Sequence, residues 1–133
     1  MADLILEPYT VVQRWSQPAA SGDWESRLSE YLQTLAQNCA EMDGAVIGHI
    51  KALALFPEGQ YLRASVVSAD RLATVEGCVP HGFTTLELTL NVLVYGLTRE
   101  QIKKIVERTA REAASRWGIE ILSLPVKPHL HSP

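Results

Sequence analysis

The segment from Thr85 to Val94 constrains this chain most. Leu86, Leu88, Leu90, Val92 and Val94 take every second position, while Thr85, Glu87, Thr89 and Asn91 fill places between them. Successive side chains of a β-strand point to opposite faces, so this period of two predicts a strand with one apolar and one polar side. A sheet built around such a strand needs cover on one side and leaves the other in water. Two stretches have the pattern to supply the cover. Trp24, Leu28, Tyr31, Leu32, Leu35, Cys39 and Met42 recur at three- and four-residue spacing, which predicts an amphipathic helix that Gly44 stops. Ile102, Ile105, Val106, Thr109, Ala113 and Trp117 predict a second. Its start is marked by the capping-box pair Thr98 and Gln101 and the hydrophobic-staple pair Leu97 and Ile102, and its end by Gly118.

Between the helices the period is two. Residues 45–56 and 61–68 predict a hairpin around Pro57-Glu58-Gly59-Gln60, and residues 72–79 a third strand that ends at Pro80-His81-Gly82. Residues 119–122, and either 4–7 or 9–14, are expected as short edge strands. The short links imply an antiparallel meander. The expected fold class is α+β: a two-layer sandwich of about four or five strands with two helices on one face. Residues 1–124 are expected to form one domain, and residues 125–133, with three prolines, a flexible tail. Residues 98–118 carry six basic and three acidic side chains, whereas residues 23–43 are acidic but for Arg27, which favours the two helices lying side by side.

Composition narrows the classes of function. The 133 residues are 47% hydrophobic and 20% charged, with a net charge of −3. A chain of this size buries roughly two-thirds of its surface without disulfides or metals. Its two cysteines lie far apart and make no disulfide framework. No apolar run approaches the roughly 18–20 residues that cross a bilayer, and Asp3 and Glu7 flank the opening Leu4-Ile5-Leu6 where a leader would be basic. A cytoplasmic location without a membrane partner is the expectation. The acidic balance also argues against nucleic acid, whose phosphates call for a concentrated basic surface.

The uncovered face of the sheet is where chemistry is expected. Parity assigns to it His49 and Lys51 from the first strand, Tyr61, Arg63 and Ser65 from the second, Thr74, Glu76 and Cys78 from the third, and Glu87, Thr89 and Asn91 from the fourth. Lys51 and Arg63 can meet an anionic group with His49 beside them. The competing reading is a solvated face on which they pair with Glu76 or Glu87. His49, Lys51, Arg63, Ser65 and Glu87 are therefore the candidate ligand-binding residues. Ile47, Leu53, Tyr61 and Leu93 are expected as an apolar patch on the same face.

Catalytic and metal signals are weaker. No phosphate-binding loop, nucleophile elbow, His-Glu-x-x-His or dinucleotide fingerprint occurs, so no catalytic residue and no cofactor are expected. Glu76 or Glu87 with His49 is the acid–base pair to examine first. Cys78 and His81 are weak metal candidates, and His129 and His131 alternate near the end.

Gly48-His49-Ile50-Lys51, followed by Tyr61-Leu62-Arg63-Ala64-Ser65, resembles a pattern downstream of the nucleotide-binding domain in CobW-like GTPases, a family linked to metal delivery and cobalamin metabolism. The similarity covers about a fifth of the chain. It implies an accessory domain standing alone, because this chain lacks the phosphate-binding loop, and it carries over His49, Lys51, Arg63 and Ser65 without naming their chemistry. The expected function is a non-enzymatic accessory or binding module that uses the open face for a small anionic ligand, a protein partner or its own second copy. The alternative is a small metal-handling protein or enzyme with a His/Glu site on that face.

Overall fold

The computed structural model describes residues 8–18, 23–77, 79 and 82–125. The expected opening strand at 4–7, the tail beyond 125, and Cys78, His81, His129 and His131 lie outside the described residues. The elements run β1 (Tyr9–Ser16), α1 (Trp24–Ala40), β2 (Val46–Leu55), a single 3-10 turn (Pro57–Gly59), β3 (Tyr61–Val66), β4 (Thr74–Gly77), β5 (Thr85–Tyr95), α2 (Arg99–Trp117) and β6 (Glu120–Leu124).

Local chemistry sets the helix ends. The Asp23 side chain accepts hydrogen bonds from the backbone N–H groups of Glu25 and Ser26 at 3.0 and 3.3 Å, which starts α1. At α2 the capping box is complete: Thr98 Oγ1 accepts from the Gln101 backbone N–H at 3.1 Å, and Gln101 Oε1 accepts from the Thr98 N–H at 2.8 Å. Leu97 and Ile102 are buried as a staple requires, and Gly118 ends the helix at φ 65. The buried stripe of α1 is Trp24, Leu28, Tyr31, Leu32, Leu35, Ala36 and Cys39, with Met42 half-buried beyond the helix.

All six strands form one antiparallel sheet in the order β4-β3-β2-β5-β1-β6. The fold is α+β, with α1 packed on β2, β3 and β4 and α2 on β1 and β6. The helices also touch each other, through Asn38 Nδ2 donating to Thr109 Oγ1 at 2.9 Å and through an exposed Arg116–Glu30 ion pair. Burial follows parity: Val11, Gln13 and Trp15 of β1, Ile50, Ala52 and Ala54 of β2, Leu62, Ala64 and Val66 of β3, and Leu86, Leu88, Leu90, Val92 and Val94 of β5 face the helices.

Three expectations change. The sheet has six strands rather than four or five. It is not a simple meander either, because β5 pairs with β2 and β1 and not with β4. The apolar side of β5 is the longest in the protein and belongs at the centre, beneath both helices; beside the four-residue β4 it would sit at the rim. As a result β1-α1-β2 and β5-α2-β6 are interleaved split β-α-β units, each pair of parallel strands enclosing one strand of the other. Nor is β1 an edge strand, since β5 and β6 flank it.

Candidate functional site

Both helices lie on one side, so the other side of the sheet has no layer of its own among the described residues. The strand register arranges that face in rows. One row reads Thr74, Ser65, Lys51, Asn91 and Thr10 across β4, β3, β2, β5 and β1. The next reads Glu76, Arg63, Leu53, Thr89, Val12 and Leu124, and the third Tyr61, Leu55, Glu87, Arg14 and Leu122. The first two rows surround a depression of about 400 Å³ whose polar lining includes Lys51, Arg63, Ser65, Thr74, Glu76 and Asn91.

Of the sequence candidates, Lys51, Arg63 and Ser65 come together in this depression. Ser65 Oγ and Thr74 Oγ1 are 3.2 Å apart, and Thr10 Oγ1 donates to Asn91 Oδ1 at 2.6 Å. The Arg63 guanidinium lies 5.3 Å from the centroid of the Tyr61 ring. Arg63 is level with Glu76, and Arg14 with Glu87, yet Arg116–Glu30 is the one ion pair within 4.0 Å among the described residues. The cross-strand salt bridges to Glu76 or Glu87 that the competing reading assigned to Lys51 and Arg63 are absent among those residues.

Glu87 and His49 share the face but not the depression. Glu87 is level with Leu55 and His49 with Leu93, six residues apart along β2, so roughly 20 Å separates them along the strands. Glu76 is four residues along and two strands over from His49, again far outside the roughly 3 Å at which a proton passes directly. Neither carboxylate forms the acid–base pair with His49. The imidazole is half-buried, its Nδ1 has no hydrogen-bond partner among the described residues, and burial first and the Lys51 charge second hold its pKa below the usual histidine range. Among the described residues no group of three or more His, Cys, Asp or Glu side chains is placed to hold a metal.

The face is also apolar: Tyr61, Leu53 and Leu93 lie on it as expected, and Ile47 does not. The β2–β5 register shifts between Ile47 and His49, leaving Gly48 as an extra residue in a β-bulge. A Cβ at Gly48 would lie 3.0 Å from the Tyr95 ring and 3.2 Å from Leu93, so these two side chains close over the glycine. The extra residue turns Ile47 to the helix side, where it packs against the core, and puts Val46 on the open face in its stead. Val46, Leu55, Tyr61, Tyr95 and Leu122 are 44–61% exposed there, and Val67, 54% exposed, continues the parity of β3. Leu53 and Leu93 join them, half-buried. Sequence reasoning missed everything that β1 and β6 add, including Arg14 and Leu122. The alternation of Val11, Gln13 and Trp15 was the available signal, hidden by a glutamine at a core position. Comparison of the chain with family models, with curated proteins and with solved structures returns no match, so nothing in them bears on the resemblance to CobW-like GTPases.

Proposed function

We propose that this chain is a non-enzymatic binding module whose open sheet face docks a second copy of the chain. The observation that carries the reading is the gathering of exposed Val46, Leu55, Tyr61, Val67, Tyr95 and Leu122 on the one side of the sheet without helices. Large apolar side chains exposed together on a soluble domain mark interaction surfaces. Area and charge favour a second copy as the occupant. The six strands contain 44 residues, which at strand spacing present roughly 700 Å² of flattened face, close to the roughly 800 Å² per partner of a stable interface. Arg14, Lys51 and Arg63 balance Glu76, Glu87 and Glu120, so two such faces meet without net repulsion. The four residues that carry the resemblance to CobW-like GTPases lie on the same face, which supports treating it as the working surface of an accessory domain.

A second reading has its own support: Lys51 and Arg63 line the depression with hydroxyls beside them and no carboxylate within 4.0 Å among the described residues, an arrangement suited to a small carboxylate or phosphate.

Leu55→Asp separates docking from folding. Leu55 is 44% exposed, so the variant is expected to keep its unfolding midpoint within about 5 °C of the parent. In sedimentation velocity over a hundredfold concentration range, the parent should pass from monomer to dimer while Leu55→Asp stays monomeric. A parent that remains monomeric throughout contradicts self-docking. A midpoint lowered by more than about 10 °C would mean that the chain's own fold covers Leu55.

A further inference from the structure

We propose that the two copies pair face to face about a two-fold axis passing between Leu53 and Thr89, with Lys51 of each copy opposite Glu87 of the other. The proposal rests on the reading that the open face docks a second copy and adds how the two faces are aligned.

The register supplies the geometry. Lys51 is level with Asn91, and Glu87 lies four residues further along β5, level with Leu55. On each copy the two charges are one strand and roughly 14 Å of strand length apart, too far to pair within the chain. The midpoint between them falls at the paired residues Leu53 and Thr89. A two-fold axis in the plane of the interface exchanges any two points whose joining line it bisects at a right angle. An axis through that midpoint therefore lays Lys51 over Glu87 twice, in the reciprocal fashion of an interface between identical surfaces. On the flattened register the same operation sets Leu53 against the other copy's Leu53 at the centre, Arg14 over Asn91 and Arg63 beside Tyr61. No two like charges are superposed.

Physical chemistry then assigns the pair its role. Lys51 and Glu87 are both exposed, and neither has an ion-pair partner among the described residues. Two sheets packed face to face stand roughly 10 Å apart, which removes most of the water from side chains between them, and a charge enclosed there without a partner is costly. The apolar residues supply the attraction, whereas the charge pair selects one alignment among the many that a flat apolar surface would accept.

The test is charge reversal in the full chain, read by sedimentation equilibrium, with circular dichroism to confirm the fold. Lys51→Glu places two like-charged pairs in the interface, and so does Glu87→Lys. Each is expected to raise the dimer dissociation constant about a hundredfold or more. Combining them restores opposite charges, and the double variant is expected to return to within about tenfold of the parent. A double variant no tighter than either single one overturns the alignment. If neither reversal changes the dissociation constant while Leu55→Asp still abolishes association, the faces dock in another register and the pairing is wrong, although self-docking stands. If Leu55→Asp has no effect either, the open face is not the interface and both readings fall.

Discussion

Replacing Gly96 by alanine is expected to lower the unfolding midpoint by about 10–20 °C, a large effect for a single methyl group. Gly96 joins the end of β5 to the N-cap of α2, with φ +88, a region that L side chains rarely adopt. The strain of that dihedral contributes roughly 1–2 kcal/mol. Space contributes more. A Cβ on Gly96 would stand 2.1 Å from the carbonyl oxygen of Gly44 and 2.9 Å from its carbonyl carbon, and both are backbone atoms that move only if the whole α1–β2 turn moves. The combined cost is roughly 3–5 kcal/mol. Gly44 provides the control, because it too has a positive φ, +79, yet a Cβ there meets nothing within 4 Å. Gly44→Ala should therefore cost only the dihedral strain, about 1 kcal/mol. Calorimetry on both variants isolates the contact between the two turns, and equal losses would show that no close approach exists.

The second large effect is expected at Gln13, which is fully buried on the helix side of β1. Its Oε1 accepts from Trp15 Nε1 and from the Tyr31 hydroxyl, each at 3.1 Å, and the Trp15 ring meets Tyr31 edge-on with centroids 4.8 Å apart. Burial pushes the Tyr31 hydroxyl well above the ordinary tyrosine pKa against the pull of the Gln13 bond, so it stays a neutral donor that needs an acceptor. Gln13→Leu removes the acceptor of two buried donors, each worth roughly 1–3 kcal/mol when stranded. The loss is partly offset because Gln13 Nε2 has no hydrogen-bond partner among the described residues and its burial is relieved. A net loss of about 2–4 kcal/mol in denaturant unfolding is expected. Tyr31→Phe added to Gln13→Leu should recover stability, whereas in the parent it should cost about 1 kcal/mol. A neutral Gln13→Leu would contradict the network.

These two residues also mark where the sequence stops being readable. The helices were legible because their signals are local: the capping box, the staple and Gly118 all act within one turn of α2, and period alone sets its buried stripe. The face of each β5 residue was legible for the same reason. Strand order was not, since two strands adjacent in sequence, β4 and β5, are not adjacent in the sheet. The place of β1 inside the sheet, between β5 and β6, was not legible because Gln13 occupies a core position, and its fitness for that position lies in Trp15 and Tyr31, one of them on another element. In the candidate site, parity gave the face of Lys51, Arg63, Ser65, His49 and Glu87 but not their rows. Only register sets the rows, which is why the first three meet and the last two do not. Ile47 failed for a still smaller cause, one extra residue at Gly48 that reverses parity on one side of the bulge.

Hydroxyl-radical footprinting of the unmodified chain as a function of concentration tests the docking face most directly. Leu55, Tyr61 and Tyr95 report on the open face at 44% exposure each, and Leu72, 85% exposed in the β3–β4 connection, serves as the internal reference. The account predicts that labelling of Leu55, Tyr61 and Tyr95 falls several-fold as the chain passes through its dimerisation range while Leu72 is labelled at a constant rate. Labelling of the open face that stays constant across that range, or that falls only in step with Leu72, would contradict it.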